Sequence, residues 1–167
     1  MNNASTSSPA DKSSEYLVRA CTPKEMSHPE FLTCLAILNA GGAVMVDLDK
    51  LKVAPWLAIA RNGNDIVGVG AIKGVRRWYA TEIAEKSSFD FPANTLELGY
   101  VAVQAAHKGK RLSHRILQAL LAAEHGHLFA TTDDPFMKRA LATAGFIQKG
   151  NEWDGNRGCL SLWLKLP

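Results

Sequence analysis

Apolar residues recur with a period of two in some segments of the chain and with a period near 3.6 in others, which predicts alternating strands and helices. Alternating or continuous apolar runs predict seven strands, at residues 15–20, 56–60, 66–72, 96–103, 127–132, 146–153 and 159–165. Helical spacing predicts helices over residues 28–38, 112–121 and 135–144. Residues 44–52 mix charged and apolar positions and are assigned to a solvated loop, and residues 87–95 to an irregular connection.

Several short motifs mark the ends of these elements. Thr22 to Glu25 has the form of a capping box with proline at its first helical position, and Gly41-Gly42 stops the helix that follows. Asn62-Gly63 predicts a tight hairpin turn between two apolar runs. Asp134-Pro135 starts the last helix and Gly145 ends it.

The segment 96–121 combines a strand, a short basic loop and an amphipathic helix. Nearly every strand residue is apolar, so both faces of the strand are expected to be covered. Glu97 is therefore a carboxylate within a largely buried strand, and Gly99 marks a point where strands often bulge. The helix carries its leucines and Ile116 on one side, which predicts that it lies on the sheet.

Three cations, Lys108, Lys110 and Arg111, stand where this helix begins. The helix dipole disfavours cations at that end, and a bound anion removes the conflict. The alternative is a solvated surface cluster with no ligand. The position of the loop, directly after a buried strand and before a helix, favours a phosphate site.

Composition limits the classes of protein that need be considered. The chain has 167 residues, of which 47% are hydrophobic and 21% charged, and these values are typical of a globular protein. Residues 1–14 are small and polar and are predicted to be a disordered tail, with residues 15–167 forming one domain. A net charge of +3 does not by itself indicate nucleic acid. The sequence shows no membrane-spanning run or signal-peptide core, and we expect a cytoplasmic protein.

The cysteines and one basic segment complete the set of candidate residues. Cys21, Cys34 and Cys159 are widely separated and lack metal-ligand spacing, so the sequence predicts neither a disulfide framework nor a metal site. Arg76, Arg77 and Trp78, followed by another aromatic residue, form a basic-aromatic patch of the kind that contacts planar or anionic substrates. Alternatively, the aromatic rings pack inward and the arginines are only solvated.

The segment 96–121 resembles the acyl-CoA-binding core of the GNAT superfamily of N-acetyltransferases. In that family a strand ending in Val-x-Val leads to an Arg/Gln-x-x-Gly-x-Gly/Ala loop and a long helix. Here Val101-Ala102-Val103 matches the strand end, Lys108 the Arg/Gln position, Arg111 the first glycine and Ser113 the Gly/Ala position. Arg111 and Ser113 depart from the pattern, while Gly109 keeps some flexibility in the loop.

The resemblance extends along the chain, because the order of elements matches and Ala144-Gly145-Phe146 is similar to the family's terminal Leu-Gly-Phe. It implies a GNAT-like mixed α/β fold, with a mostly antiparallel sheet of six or seven strands and helices on both faces. It also implies acetyl-CoA or another acyl-CoA as the cofactor. The residues implied in binding it are Val101, Ala102, Val103, Lys108, Gly109, Lys110, Arg111, Leu112, Ser113 and Asp134.

The same resemblance implies catalytic roles. Glu97 matches a position where many members carry the base that takes a proton from the amine, and a backbone N–H near Val101 would bond the thioester carbonyl. Alternatively, Glu97 is a structural residue paired with Arg76, Arg77 or a lysine. The family tyrosine that protonates the leaving thiolate corresponds to Leu141 here, and the family asparagine that holds the cofactor arm to Asp134.

Leucine cannot donate a proton, so either Tyr100 or Ser113 donates it or the thiolate leaves unassisted. These observations predict an N-acetyltransferase that transfers an acetyl group from acetyl-CoA to a small-molecule or peptide amine. The sequence leaves two alternatives open, a non-catalytic acyl-CoA-binding module and a nucleic-acid-modifying enzyme of the same fold. The Thr-Thr-x-x-Pro segment at 131–135 and the Gly-x-x-Trp segment at 150–153 resemble phage DNA-modifying members of the superfamily.

Overall fold

The computed structural model describes residues 16–42, 46–92 and 94–167. The predicted tail, residues 1–14, lies outside the described residues. Seven strands are present in the described part: β1 (Tyr16–Cys21), β2 (Trp56–Asn62), β3 (Asp65–Lys73), β4 (Leu96–Val103), β5 (Leu128–Thr132), β6 (Ile147–Asp154) and β7 (Cys159–Lys165). The α-helices described are α1 (His28–Ala40), α2 (Leu48–Lys52), α3 (Arg77–Ser87), α4 (Leu112–Ala123) and α5 (Pro135–Thr143).

The strands form one mixed sheet in the order β1-β2-β3-β4-β5-β7-β6. Every neighbouring pair is antiparallel except β4 and β5, which run parallel and are connected through α4. The predicted mostly antiparallel sheet of six or seven strands is therefore confirmed. The β4–α4–β5 unit occupies the centre of the sheet.

Helices cover both faces of the sheet, as predicted. Apolar residues of β4, β5 and β3, such as Leu98, pack with α4 and α5 in one core cluster. On the opposite face α1 packs over β3 and β4, whereas α3 packs over β6 and β7, with Phe129 of β5 in the same apolar cluster. Four α4 side chains are fully or almost fully buried, and each contributes about 1.5–3 kcal/mol relative to exposure: Leu112, Ile116, Leu117 and Leu120.

Close contact between α4 and the sheet depends on a glycine in β3. A Cβ atom at Gly70 would overlap the side chain of Ile116, which is fully buried. The helix can therefore lie near the strand only because this position has no side chain. This contact fixes where the start of α4 lies relative to the end of β4.

The position of one turn and the structure of one predicted loop differ from the sequence expectations. The hairpin loop is Gly63-Asn64 and not Asn62-Gly63, because Asn62 pairs with Asp65. Gly63 has φ +60°, which agrees with a two-residue turn that places glycine first. The segment predicted as a loop at 44–52 contains the short helix α2, whose N-terminus Asp47 caps by accepting a hydrogen bond from the N–H of Lys50 at 2.8 Å; residues 43–45 are not described.

The larger correction concerns α3, which the sequence did not predict. Residues 77–87 form a helix, although only Ile83 and Ser87 are buried in it. The helix lies between β3 and β4 in sequence but packs on β6 and β7. Arg76, Arg77 and Trp78 thus lie at the start of a helix, where all three are exposed.

Within the described ranges no helix is long and apolar enough to cross a membrane. In the same ranges no group of three or more potential ligands is arranged to hold a metal ion.

Candidate functional site

The central strand β4 pairs with β3 along most of its length but with β5 only at its first two residues. Its pairing with β3 continues to Val103, but its pairing with β5 is limited to Leu96 with Leu128 and Glu97 with Phe129. Beyond Glu97 the two parallel strands diverge, and no described strand pairs with that edge of β4. The backbone of the second half is therefore available to an extended ligand that adds to the sheet as a strand does.

A β-bulge lies in β4 beyond its last pair with β5. The register with β3 changes from Ala71 opposite Gly99 to Val69 opposite Ala102, so Tyr100 and Val101 together face one residue of β3. Tyr100 has φ +54°, a conformation that residues other than glycine rarely adopt. The bulge that Gly99 predicted is confirmed, and it redirects the backbone N–H groups of the strand.

The basic loop follows the end of β4 directly. The N–H of Gln104 donates to Val67 O at 2.8 Å, and a single 3₁₀ turn, Ala105–His107, leads into the loop. Gly109 has φ +77°, and Arg111 is the N-cap of α4 with φ +57° and ψ +23°. Arg111 thus adopts the left-handed conformation that glycine favours, although it carries a side chain.

This start of α4 offers unpaired donors and positive charge. No side chain caps the helix, so the N–H groups of its first turn lack an internal acceptor. Lys108, Lys110 and Arg111 are exposed, and none forms an ion pair with a carboxylate in the described part of the chain. We call these three residues the loop cations. Free N–H groups, the helix dipole and three cations are the elements of a phosphate-binding site.

At the other end of the open edge, Glu97 forms an ion pair with Lys73. The distance from Lys73 Nζ to Glu97 Oε2 is 2.9 Å, and the side chains are only 19% and 11% exposed. The same ammonium lies 3.9 Å from the centroid of the Tyr100 ring. We call Lys73 and Glu97 the strand pair. Glu97 therefore pairs with a lysine, which is one of the structural partners that the sequence left open, and Arg76 and Arg77 do not pair with it.

Tyr79 of α3 faces the strand pair from the neighbouring helix. Its ring lies 6.5 Å from that of Phe129, which is the β5 residue opposite Glu97. Burial raises the pKa of the Tyr79 hydroxyl well above its usual value, and the charge of Glu97 raises it further. Tyr79 therefore stays protonated near Glu97 at any ordinary pH.

Sequence reasoning missed both Lys73 and Tyr79 as site residues. Lys73 was detectable in principle, because it is the single charged residue at the end of a long apolar run. Tyr79 was grouped with an exposed patch, and only the unpredicted helix turns it inward.

The remaining predicted residues are spread over several elements. Arg76 caps α3, Arg77 begins it, and Trp78 is 62% exposed, so these three lie at the surface. Asp134 caps α5 by accepting a hydrogen bond from the N–H of Phe136 at 2.9 Å. Leu141 is fully buried in the core.

Leu112 and Ser113, the first two residues of α4, differ in which of their groups a ligand can contact. The Leu112 side chain is buried, so only its backbone can contact a ligand, whereas Ser113 is half-buried in the first turn of the helix. His107, at the start of the loop, is held by Tyr16, whose hydroxyl oxygen lies 2.9 Å from its Nδ1.

No protein-family model matches the sequence, and a comparison with curated proteins finds no similar sequence. Solved structures, by contrast, match over most of the chain. ElaA from Escherichia coli has a TM-score of 0.69 and 11% identity, with 90% of this chain and 99% of that chain covered. An acyl-CoA N-acyltransferase from Pseudomonas aeruginosa has a TM-score of 0.67 and 10% identity, with 90% and 99% covered.

A GNAT-family acetyltransferase from Streptococcus agalactiae is similar with a TM-score of 0.62 and 15% identity, over 91% of this chain and 95% of that chain. These matches confirm the predicted fold: the chain has the GNAT fold. At such identities the likeness concerns the fold and indicates no subfamily.

Proposed function

We propose that the protein is an acyl-CoA-dependent N-acyltransferase that transfers an acetyl group from acetyl-CoA to the amine of a small molecule or peptide. The observation that supports this most directly is the geometry of β4. One strand has an open edge, a bulge in its middle and, at its end, a helix start without a side-chain cap. Three cations lie at that helix start, and none pairs with a carboxylate among the residues that the structure describes. That arrangement fits a ligand with an amide-containing arm and a pyrophosphate.

Binding is divided between backbone and side chains. The first-turn N–H groups of α4, Gly109 and the loop cations hold the pyrophosphate. The backbone of Val101 to Val103 pairs with the amide groups of the pantetheine arm, as an added strand would. Asp134, on the far side of the gap between β4 and β5, is the other candidate contact for the arm.

The chemistry takes place at the bulge. A backbone N–H near Val101 polarises the thioester carbonyl, and Glu97 accepts the proton that the attacking amine releases, directly or through water. Lys73 fixes the position of the Glu97 carboxylate. The position of the family's thiolate-protonating tyrosine is filled by the buried Leu141, so the thiolate leaves without a proton from α5.

Calorimetric titration with acetyl-CoA tests binding, and release of free CoA thiol in the presence of an amine and peptide panel tests transfer. We expect binding in the micromolar range and thiol release with at least one acceptor. A variant with all three loop cations replaced by alanine is the control and should bind weakly. Absence of binding by the unmodified protein at high micromolar acetyl-CoA would reject the proposal.

The role of Glu97 is tested separately with Glu97→Gln. Because a positioned general base contributes roughly 100-fold or more, we expect thiol release to fall by about that factor while acetyl-CoA binding is retained. Undiminished thiol release in this variant would remove Glu97 as the base and leave the rest of the proposal standing.

Two observations favour a second candidate, an acyl-CoA-binding module that performs no transfer to an external amine. Glu97 already has a cationic partner, and Leu141 offers no proton. Binding of acetyl-CoA with no thiol release against amines, peptides and DNA would favour this candidate. Including DNA in the panel also tests the third alternative, a nucleic-acid acceptor.

A further inference from the structure

We infer that Lys73 is itself an acyl acceptor, so that the protein acylates its own Lys73 from bound acyl-CoA. This inference rests on the proposed function, because the acyl donor must reach the bulge of β4. It goes beyond that function in naming a modification site and a first acceptor within the chain.

The position of the amine carries the inference. Lys73 Nζ lies 3.4 Å from the point where a Cβ atom on Gly99 would stand. It lies 3.9 Å from the Tyr100 ring centroid. Gly99 is the last residue paired with β3 before the bulge, Tyr100 lies in the bulge, and both follow the last pair of β4 with β5 at Glu97. Because Gly99 has no side chain, the amine lies over the strand backbone at Gly99. This is two residues before Val101, whose N–H is proposed to bond the thioester carbonyl.

Lys73 also lies beside the group that can take its proton. Glu97 Oε2 is 2.9 Å away, which is within hydrogen-bonding distance. Other paired lysines differ: Lys50 and Lys86 have side chains that are 52% and 47% exposed and pair with carboxylates on their own helix or its cap. Lys138 is 24% exposed and lies 3.0 Å from Glu152, but it is on α5 and not at the bulge of β4. Lys73 combines low exposure, an adjacent carboxylate and a position at the bulge.

The reaction balances without any further reactant. One proton passes from the Lys73 ammonium to Glu97, and the nitrogen lone pair attacks the thioester carbonyl carbon. The C–N bond forms, the C–S bond breaks and CoA departs as a thiolate. The second proton lost from nitrogen neutralises the thiolate, and Glu97 later returns its proton to water. The products are an amide on Lys73, free CoA thiol and one proton.

Acylation changes the electrostatics of the strand pair. The amide nitrogen carries no charge, so Glu97 loses its cationic partner and its carboxylate becomes free to receive a proton from a second, external amine. Self-acylation therefore converts the paired carboxylate into an unpaired one.

The test is incubation of the full chain with isotopically labelled acetyl-CoA, followed by peptide mass spectrometry over time. We expect the label at Lys73 to appear at least about tenfold faster than at the exposed Lys52, because a positioned base and a bound donor accelerate only the former. Lys52 reports the uncatalysed rate in the same sample. Glu97→Gln should slow labelling at Lys73 and leave Lys52 unchanged.

Lys73→Arg is the matched variant, because it keeps the positive charge beside Glu97 and offers no acylatable amine. We expect this variant to bind acetyl-CoA and to lose the early labelling that the unmodified protein shows. Protein denatured in urea should label Lys73 and Lys52 at the same rate.

Two outcomes would overturn the inference in distinguishable ways. If acetyl-CoA binds but Lys73 is labelled no faster than Lys52, self-acylation is wrong and the proposed acyltransferase function is untouched. If acetyl-CoA does not bind, both fail together.

Discussion

The loop cations and the strand pair lie at opposite ends of the same open edge of β4, yet they differ in exposure to water and in whether their charges have counterions. The loop cations are exposed and have no described carboxylate partner. The strand pair is largely shielded from water, and each charge already has its counterion at 2.9 Å. The charges of the strand pair are thus neutralised within the fold, whereas we propose that an anionic ligand neutralises the loop cations.

The difference has an energetic consequence. Exposed cations contribute little to folding, since water solvates them, but they attract an anion. A shielded pair contributes little net stability while intact but is costly to break, since one charge is then left without a partner. Substitutions in the strand pair should therefore change the free energy of unfolding, whereas substitutions of the loop cations should change ligand binding.

Breaking the strand pair should give the largest effect. We expect Lys73→Met or Glu97→Gln to lower the free energy of unfolding by about 2–4 kcal/mol, because a shielded charge loses its partner. The double variant should recover part of the loss. Urea unfolding measures all three, and Lys86→Met, which breaks the exposed pair with Glu82, is the control with an expected cost below about 0.5 kcal/mol. An equal loss of unfolding free energy on breaking the Lys73–Glu97 pair and the Lys86–Glu82 pair would show that shielding from water does not make the strand pair costly to break.

Removing the loop cations should change binding and not folding. We expect the triple alanine variant to weaken acetyl-CoA binding by about 10- to 100-fold at low salt, with unfolding changed by less than about 0.5 kcal/mol. High salt should reduce the difference between variant and parent, because it screens exposed charges. Alanine at the exposed Lys24 and Lys52 controls for a general loss of positive charge, and weakening of equal size there would refute a localised site.

Arg111 allows the charge and the backbone conformation of the loop to be separated. Arg111→Ala removes the cation but keeps a side chain at φ +57°, while Arg111→Gly removes the cation and relieves the strain. We expect the glycine variant to be more stable than the alanine variant by about 1 kcal/mol, with equal acetyl-CoA affinity at high salt. Thermal unfolding and calorimetry measure the two quantities. Equal stabilities would show that the left-handed conformation is not retained in solution.

The smallest expected effect concerns Tyr79 beside the strand pair. Burial and the Glu97 carboxylate raise its pKa in the folded protein. Below the ordinary tyrosine pKa of about 10 both states are protonated, and above it the unfolded state loses its proton first, so stability falls as pH rises. Tyr79→Phe should remove this loss, which reaches about 0.8 kcal/mol at pH 10.5. Unfolding curves at pH 9 and pH 10.5 for both proteins measure it, and parallel losses would exclude Tyr79 as the cause.

Sequence reasoning predicted the structure around the loop cations better than that around the strand pair. The loop and α4 are adjacent in sequence, and their periodicity predicted the helix, which is confirmed. The anion site that their cations predicted stays a prediction. The pairing of Glu97 with Lys73 depends on the register between β3 and β4, whose intervening segment contains α3. Residues 77–87 carry few large apolar side chains, and the helix is stabilised by distant partners such as Phe129, so local pattern did not predict it.

The gap between β4 and β5 divides the sheet into two plates, β1–β4 and β5–β7, which share two residue pairs in the described part of the chain. The chain leaves the first plate at Lys73, packs on β6 and β7 of the second plate through α3, and returns to the first at Leu96. The contacts of α3 with the sheet are therefore with the second plate, and only the segments on either side of the helix lead back to the first. A ligand that enters between the strands must either fit the existing width or separate β5 from β4, and the two backbone pairs are the first contacts that such a separation would break.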